Sequence, residues 1–131
     1  MNYSALIQNR KSVREFSDRQ VFFGDLDKIR EYYNTSVRRL IPDIKTELQF
    51  FGTDSREALE GAAGYNKFLI GAPQYMVLLS EVHKMAHMNA GYVMEDMILK
   101  LTDMELDSCW VTFTDSKAVK AALEIQSELE V

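Results

Sequence analysis

The sequence predicts a mixed α/β or α+β domain, and three stretches carry that prediction. His87 to Glu105 holds Met88, Gly91, Tyr92, Met94, Met97, Ile98, Leu101 and Met104, a pattern too wide for the single apolar stripe of a surface helix. A helix of this kind is buried on more than one side, inside the domain or across a subunit contact. Tyr75 to Ser80 is an apolar run bounded by Pro73 and Glu81, which suits a buried strand. Asp25 to Leu40 repeats Leu26, Ile29, Tyr33, Val37 and Leu40 at helical spacing.

The remaining elements come in chain order. Asn2 to Asn9 reads as a short helix with Tyr3, Leu6 and Ile7 on one face. Lys11 to Phe16 reads as a loop or a short extended piece. In the second helix Asp25 is the expected N-cap and Pro42 the stop. Lys45 to Thr53 alternates in part and is rich in Leu and Phe, so a strand is expected. Ser55 to Ala63 is expected as a short helix, and Gly61, Gly64 and Gly71 break up the stretch leading to Pro73. Ser108 to Thr114, built from Cys, Trp, Val, Thr and Phe, is expected as a third strand. Asp115 is the expected cap of a last helix, Ser116 to Leu123. Glu128 to Val131 reads as the approach to a further strand.

Length and composition bound the function. A chain of 131 residues is expected to form one domain, spanning residues 1–131. Hydrophobic residues make up 47% and charged residues 27%, proportions of a globular chain. The formal net charge of −5 argues against general nucleic-acid binding, which asks for a broad basic surface. The single cysteine, Cys109, excludes an internal disulfide and fits a reducing compartment, so a cytoplasmic location is expected. No signal peptide is read at the N-terminus. The longest apolar stretch, near Phe68 to Leu79, is broken by Gly71, Pro73 and Gln74, too short to span a bilayer.

Against this acidic background one segment stands out. Arg10-Lys11-Ser12-Val13-Arg14 places three cations and a hydroxyl in five residues. In an extended chain alternate residues face one side, so Arg10, Ser12 and Arg14 are expected to point together. Two guanidinium forks and a hydroxyl suit a phosphate, because Arg binds it bidentately and Ser adds a short donor. The alternative is a solvated basic patch, common on protein surfaces.

Arg10-Lys11-Ser12-Val13-Arg14-Glu15-Phe16 resembles the N-terminal Arg-x-Ser-x-Arg-x-Phe signature of the flavin-dependent nitroreductases. Gly71-Ala72-Pro73, followed by Tyr75 to Leu79, is similar to the strand entry of that family. Gly91-Tyr92 and then Met104-Glu105-Leu106-Asp107-Ser108-Cys109-Trp110-Val111 resemble its central helix and the Leu-Gly-Leu-Gly-Thr-Cys-Trp-Leu segment. The resemblance implies an α+β, nitroreductase-like fold with a central, mainly antiparallel sheet flanked by helices and a long buried central helix. It implies a homodimer holding FMN at the subunit interface. By the same resemblance Arg10, Ser12 and Arg14 bind the ribityl phosphate with Lys11 adjacent, and Asn66 and Thr112 lie near the flavin ring.

The chain departs from the family pattern in places. No Asn-x-x-Pro-Trp segment occurs between Arg39 and Phe51, and Thr112-Phe113 stands where a glycine pair is expected. Family members continue past this point, so the resemblance implies a missing C-terminal strand and tail. The activity implied is transfer of hydride from NAD(P)H through the flavin to an electron-poor acceptor such as a nitro compound or quinone. The flavin carries that chemistry, and the protein supplies anchoring and a stacking slot, so no catalytic side chain is expected. The departures favour the alternative, a non-catalytic flavin-binding or dimerising domain of the same fold.

Other constellations carry less. His83 and His87 are four apart, but a metal site needs a third ligand, and solvent-facing histidines near a helix start are expected. Asp103, Glu105 and Asp107 alternate as in a calcium loop but lack its glycine and terminal Glu. Cys109 beside Trp110 reads as a buried inert thiol. Glu95 and Asp96 are adjacent on a helix, so they diverge. Met94, Met97 and Met104 are expected nearest a partner subunit, with Tyr92 or Ile98 turned to the core.

Overall fold

Two layers of helix enclose a two-stranded antiparallel sheet in the computed structural model, which describes residues 1–64 and 69–131. The elements are α1 (Tyr3–Asn9), α2 (Phe23–Thr35), β1 (Thr46–Gly52), α3 (Arg56–Leu59, entered through a 3-10 turn at Thr53–Ser55), β2 (Gln74–Ser80), α4 (Ala86–Asp103) and α5 (Ser116–Ala122). β1 and β2 pair from Thr46 opposite Ser80 to Gly52 opposite Gln74.

Both faces of the sheet are apolar, so it divides two cores. Leu48, Phe50, Met76 and Leu78 pack with Ile29 and Tyr33 of α2 and Val93 and Met97 of α4. Phe51, Tyr75, Val77 and Leu79 pack on the other side with Leu59 of α3, Val119 of α5 and the following Leu123, Ile125 and Leu129. Alternation along a strand thus sends successive side chains into different cores.

Four expectations are corrected. Ser108 to Thr114 is not a strand: it makes one parallel bridge, Ser108 to Ser12, and one further tie, Gly64 N–H donating to the Thr112 carbonyl at 2.6 Å. Its β-favouring residues find no ladder to join, and strand propensity is expressed only on a paired, half-buried surface. The sheet therefore has two strands among the described residues. α2 starts at Phe23 with Asp25 inside its first turn, and it ends at Thr35, well before Pro42. Thr35 turns its hydroxyl back to the Glu31 carbonyl, and the Arg38 N–H leaves the helix for the Asp96 carboxylate. The helix expected over Ser55 to Ala63 shrinks to α3, because Gly61 takes a φ of 90°.

The fourth correction concerns the methionines of α4. Met97 is 0% exposed, closed within this chain's own core, and so does not face a partner. Met94 and Met104 pack at the edge of the same core, Ile98 is buried, and Tyr92 is 44% exposed. Exposed residues of the helix are instead His87, Met88, Gly91, Tyr92 and Asp103.

Other readings hold. The short helix expected over Asn2 to Asn9 is α1, with Asn2 accepting from Ala5 N–H, and Asp115 caps α5 as expected by accepting from Lys117 and Ala118 N–H. The stretch before Val131 reaches the free side of β2, where Glu130 and Ser80 exchange both backbone hydrogen bonds at 2.7 and 2.9 Å.

Candidate functional site

α1 delivers the basic segment to the C-terminal end of α4. The helix ends at Asn9, and Arg10 turns into extended backbone, its N–H donating to the Leu6 carbonyl at 2.8 Å. The chain then crosses the segment after α4, with Ser12 bridging Ser108 and Val13 N–H donating to the Ser108 carbonyl at 3.0 Å. A cleft of about 190 Å3 opens at this crossing. Arg10 and Lys11 line one side, and Thr102, Glu105, Asp107 and Ser108 the other.

The shape of the far side comes from how α4 stops. Glu105 has a φ of 61°, Glu105 N–H donates to the Thr102 carbonyl, and Leu106 N–H donates to the Leu101 carbonyl. This is the left-handed turn that glycine favours at a helix C-terminus. Glu105 therefore stands in a glycine's conformation, at the position where the resembling segment has its first glycine.

The predicted site residues are only partly brought together. Arg10 and Lys11 share the cleft; Ser12 and Arg14 are not among its lining residues. Arg10 is half-buried, Lys11 and Arg14 are exposed, and Ser12 is half-buried against Ser108. The expected single face of Arg10, Ser12 and Arg14 is not what the cleft presents. Thr112 is exposed and tied through its carbonyl to Gly64. Asn66 lies outside the described residues. Cys109 is half-buried rather than closed off, its Sγ 3.4 Å from the Trp110 carbonyl.

Charge around Arg10 is contested. Its Nε lies 3.8 Å from Glu95 Oε1, too long for a hydrogen bond, and has no hydrogen-bond partner among the described residues although it is buried. A buried guanidinium N–H without an acceptor carries the cost of its lost hydration. Glu105 and Asp107 face the same space, so the cleft joins two cations with two carboxylates.

One polar cluster escaped sequence reasoning. Asp96, next to Glu95, is 5% exposed and accepts from Tyr3 Oη at 2.9 Å, Tyr32 Oη at 3.0 Å and Arg38 N–H at 2.9 Å. Arg38 stacks its guanidinium 4.6 Å from the Tyr3 ring centre, and Lys100 sits 5.4 Å from that of Tyr32. Burial, aided by hydrogen bonds to Tyr3 and Asp96, pushes the Tyr32 phenol well above its ordinary value of 10.0. The available signal was a carboxylate within the buried arc of α4, between Val93 and Met97.

The family model described as "Putative TM nitroreductase" matches residues 2–131. The chain belongs to this nitroreductase family. No curated protein matches it. Among solved structures, a nitroreductase family protein from Clostridium difficile 630 is 17% identical with a TM-score of 0.75, over 99% of this chain and 79% of that one. A nitroreductase with bound FMN from Bacteroides fragilis NCTC 9343 is 21% identical with a TM-score of 0.77, over 100% of this chain and 84% of that one. An oxidized iodotyrosine deiodinase bound to FMN and 3-iodo-L-tyrosine is 18% identical with a TM-score of 0.72, over 98% and 84%. At these identities the likeness is one of fold, and the fold is that of the nitroreductases.

No group of three His, Cys, Asp or Glu side chains among the described residues could hold a metal ion. No helix among them is long and apolar enough to cross a membrane.

Proposed function

We propose that this nitroreductase-family chain binds FMN, with the Arg10 to Arg14 segment holding the phosphate, and serves as an FMN-dependent oxidoreductase. The observation that carries the reading is the cleft shared by Arg10 and Lys11, two cations of the family's signature segment. Guanidinium and ammonium groups lining one cleft suit a phosphate, and charge-assisted hydrogen bonds of this kind are the strong ones. The residues present therefore fit a phosphate group. Ser12 and Arg14, which follow Lys11 along the same segment, are proposed as further phosphate contacts.

Bound FMN supplies the hydride-carrying chemistry, taken from NAD(P)H and passed to an electron-poor acceptor such as a nitro compound or a quinone. The chain's own part is to anchor the phosphate, orient the ring and leave room for reductant and acceptor in turn. Thr112, on an exposed segment, and Asn66 are the proposed ring contacts. A homodimer is proposed as the working form, with the exposed Met88 and Tyr92 side of α4 as its contact. A cytoplasmic location is proposed with it.

A flavin titration of the purified chain, read by absorbance and by quenching of flavin fluorescence, tests the reading. Saturable binding, with bleaching of the bound flavin on addition of NAD(P)H, is expected. Binding without bleaching leaves the non-catalytic flavin-binding domain, which the carboxylates of Glu105 and Asp107 in the cleft favour. Absence of binding overturns both.

A further inference from the structure

α1 is the element that aims the basic segment, yet it has no fully buried residue. A seven-residue helix is marginal on its own, since nucleation is unfavourable and few bonds follow. Its direction must come from its attachments. Beyond Asn9, Arg10 is held to Glu95 only across 3.8 Å, a Coulombic contact without hydrogen-bond geometry. The Val13 N–H to Ser108 carbonyl bond fixes the far end of the basic segment. At the start of α1 the directional tie is the Tyr3 hydroxyl on Asp96, at 2.9 Å.

That tie is well built. Asp96 is buried and also receives Tyr32 Oη and Arg38 N–H, so its carboxylate is held by α2 and by the chain after α2 whether or not Tyr3 is present. Tyr3 is the only one of the three that lies on α1. We infer that Tyr3 and Asp96 are positioning residues for the phosphate site, setting the direction of α1 and through it where Arg10 and Lys11 face the cleft. Neither side chain lines the cleft. The inference rests on the FMN reading above.

Two matched substitutions separate positioning from plain stability. Tyr3→Phe and Tyr32→Phe each remove one hydroxyl from the same carboxylate and keep the ring that stacks with a cation. Each also loses the 3.2 Å contact between the two hydroxyls. Only Tyr3→Phe releases α1. The Kd for FMN is expected to rise about fivefold in Tyr3→Phe, within the range of coupling inside one hydrogen-bonded network, and to stay within about twofold in Tyr32→Phe. Hydrogen exchange gives a second readout without FMN: the Val13 amide should exchange faster in Tyr3→Phe alone. Thermal melts of both variants should fall by similar amounts. Equal changes of Kd in the two variants, or an unchanged Kd in Tyr3→Phe, overturn this inference while leaving the FMN reading intact. Failure of the unmodified chain to bind FMN overturns that reading and this one together.

Discussion

Arg10 and Glu95 face each other across the contact of α1 with α4, Nε to Oε1, at 3.8 Å. The carboxylate screens the guanidinium without orienting it, so Glu95 competes with any anion that Arg10 would bind. Glu95→Gln removes the competing charge at nearly constant shape. FMN affinity should rise roughly two- to fivefold, the 0.5–1 kcal/mol of a partly exposed pair. Stability should fall by at most about the same 0.5–1 kcal/mol. Titrations at two salt concentrations check the result, because the gain should shrink as salt rises.

Arg14→Ala should weaken FMN binding about tenfold or more, since a hydrogen bond to a charged group contributes about 1.5–3 kcal/mol. The comparison residue has to be chosen from the structure. Arg38 lies beyond the end of α2 and stacks on Tyr3, inside the cluster that holds α1. Lys28, exposed on α2, is the better control. Equal losses in Arg14→Ala and Lys28→Ala would reduce the basic segment to a surface patch.

Glu105 and Glu124 both occupy left-handed backbone, at φ of 61° and 54°, just after α4 and α5. Glycine accepts that conformation without the steric penalty of a Cβ. Glu105→Gly and Glu124→Gly should each raise stability by about 1 kcal/mol in denaturant melts. Glu105 also lines the cleft, and Glu124 does not. Anion affinity should therefore rise in Glu105→Gly alone.

Tyr32 gives the pH dependence. Its folded-state phenol is held above the ordinary 10.0, so above that pH the unfolded chain gives up a proton that the folded chain keeps. The unfolded state then binds fewer protons, and stability falls as pH rises. This contribution is fully present below about pH 10 and is lost progressively above it. Melts between about pH 9 and 12 should show a shallower decline in Tyr32→Phe than in the unmodified chain.

Leu79 is 0% exposed, and Leu79→Ala should destabilise by about 2–5 kcal/mol through lost transfer energy and a cavity. Met88→Ala, at a residue 60% exposed, should stay within about 0.5 kcal/mol in the monomer. A larger loss at Met88 that depends on protein concentration would mark the dimer contact.

The elements set by short-range signals were the legible ones. Asp115 caps α5 through bonds to residues two and three positions on, and that chemistry is written in Asp-Ser-Lys-Ala itself. The apolar runs gave β1 and β2 because each strand is closed on its faces by its own side chains. Ser108 to Thr114 misled because a strand also needs a partner, and pairing is decided by distant segments. The end of α2 misled for the same reason: Arg38 N–H has its acceptor on α4. At the site, the residue types of Arg10 and Lys11 were readable, and so was the divergence of Glu95 from Asp96. The groups that Asp96 meets were not, because Tyr3, Tyr32 and Arg38 reach it only after folding.

β2 runs between two cores, and this bears on how freely its sequence can drift. In a strand with one wet face, every second position accepts polar replacements. Here Leu78 turns to the α2 and α4 side and Leu79 to the α3 and α5 side, so successive positions are closed to charge. Ser80, also buried, exchanges its backbone bonds with Glu130. The segment should therefore tolerate the fewest substitutions in a mutational scan. α1, with no buried residue, should tolerate many at every position except Tyr3.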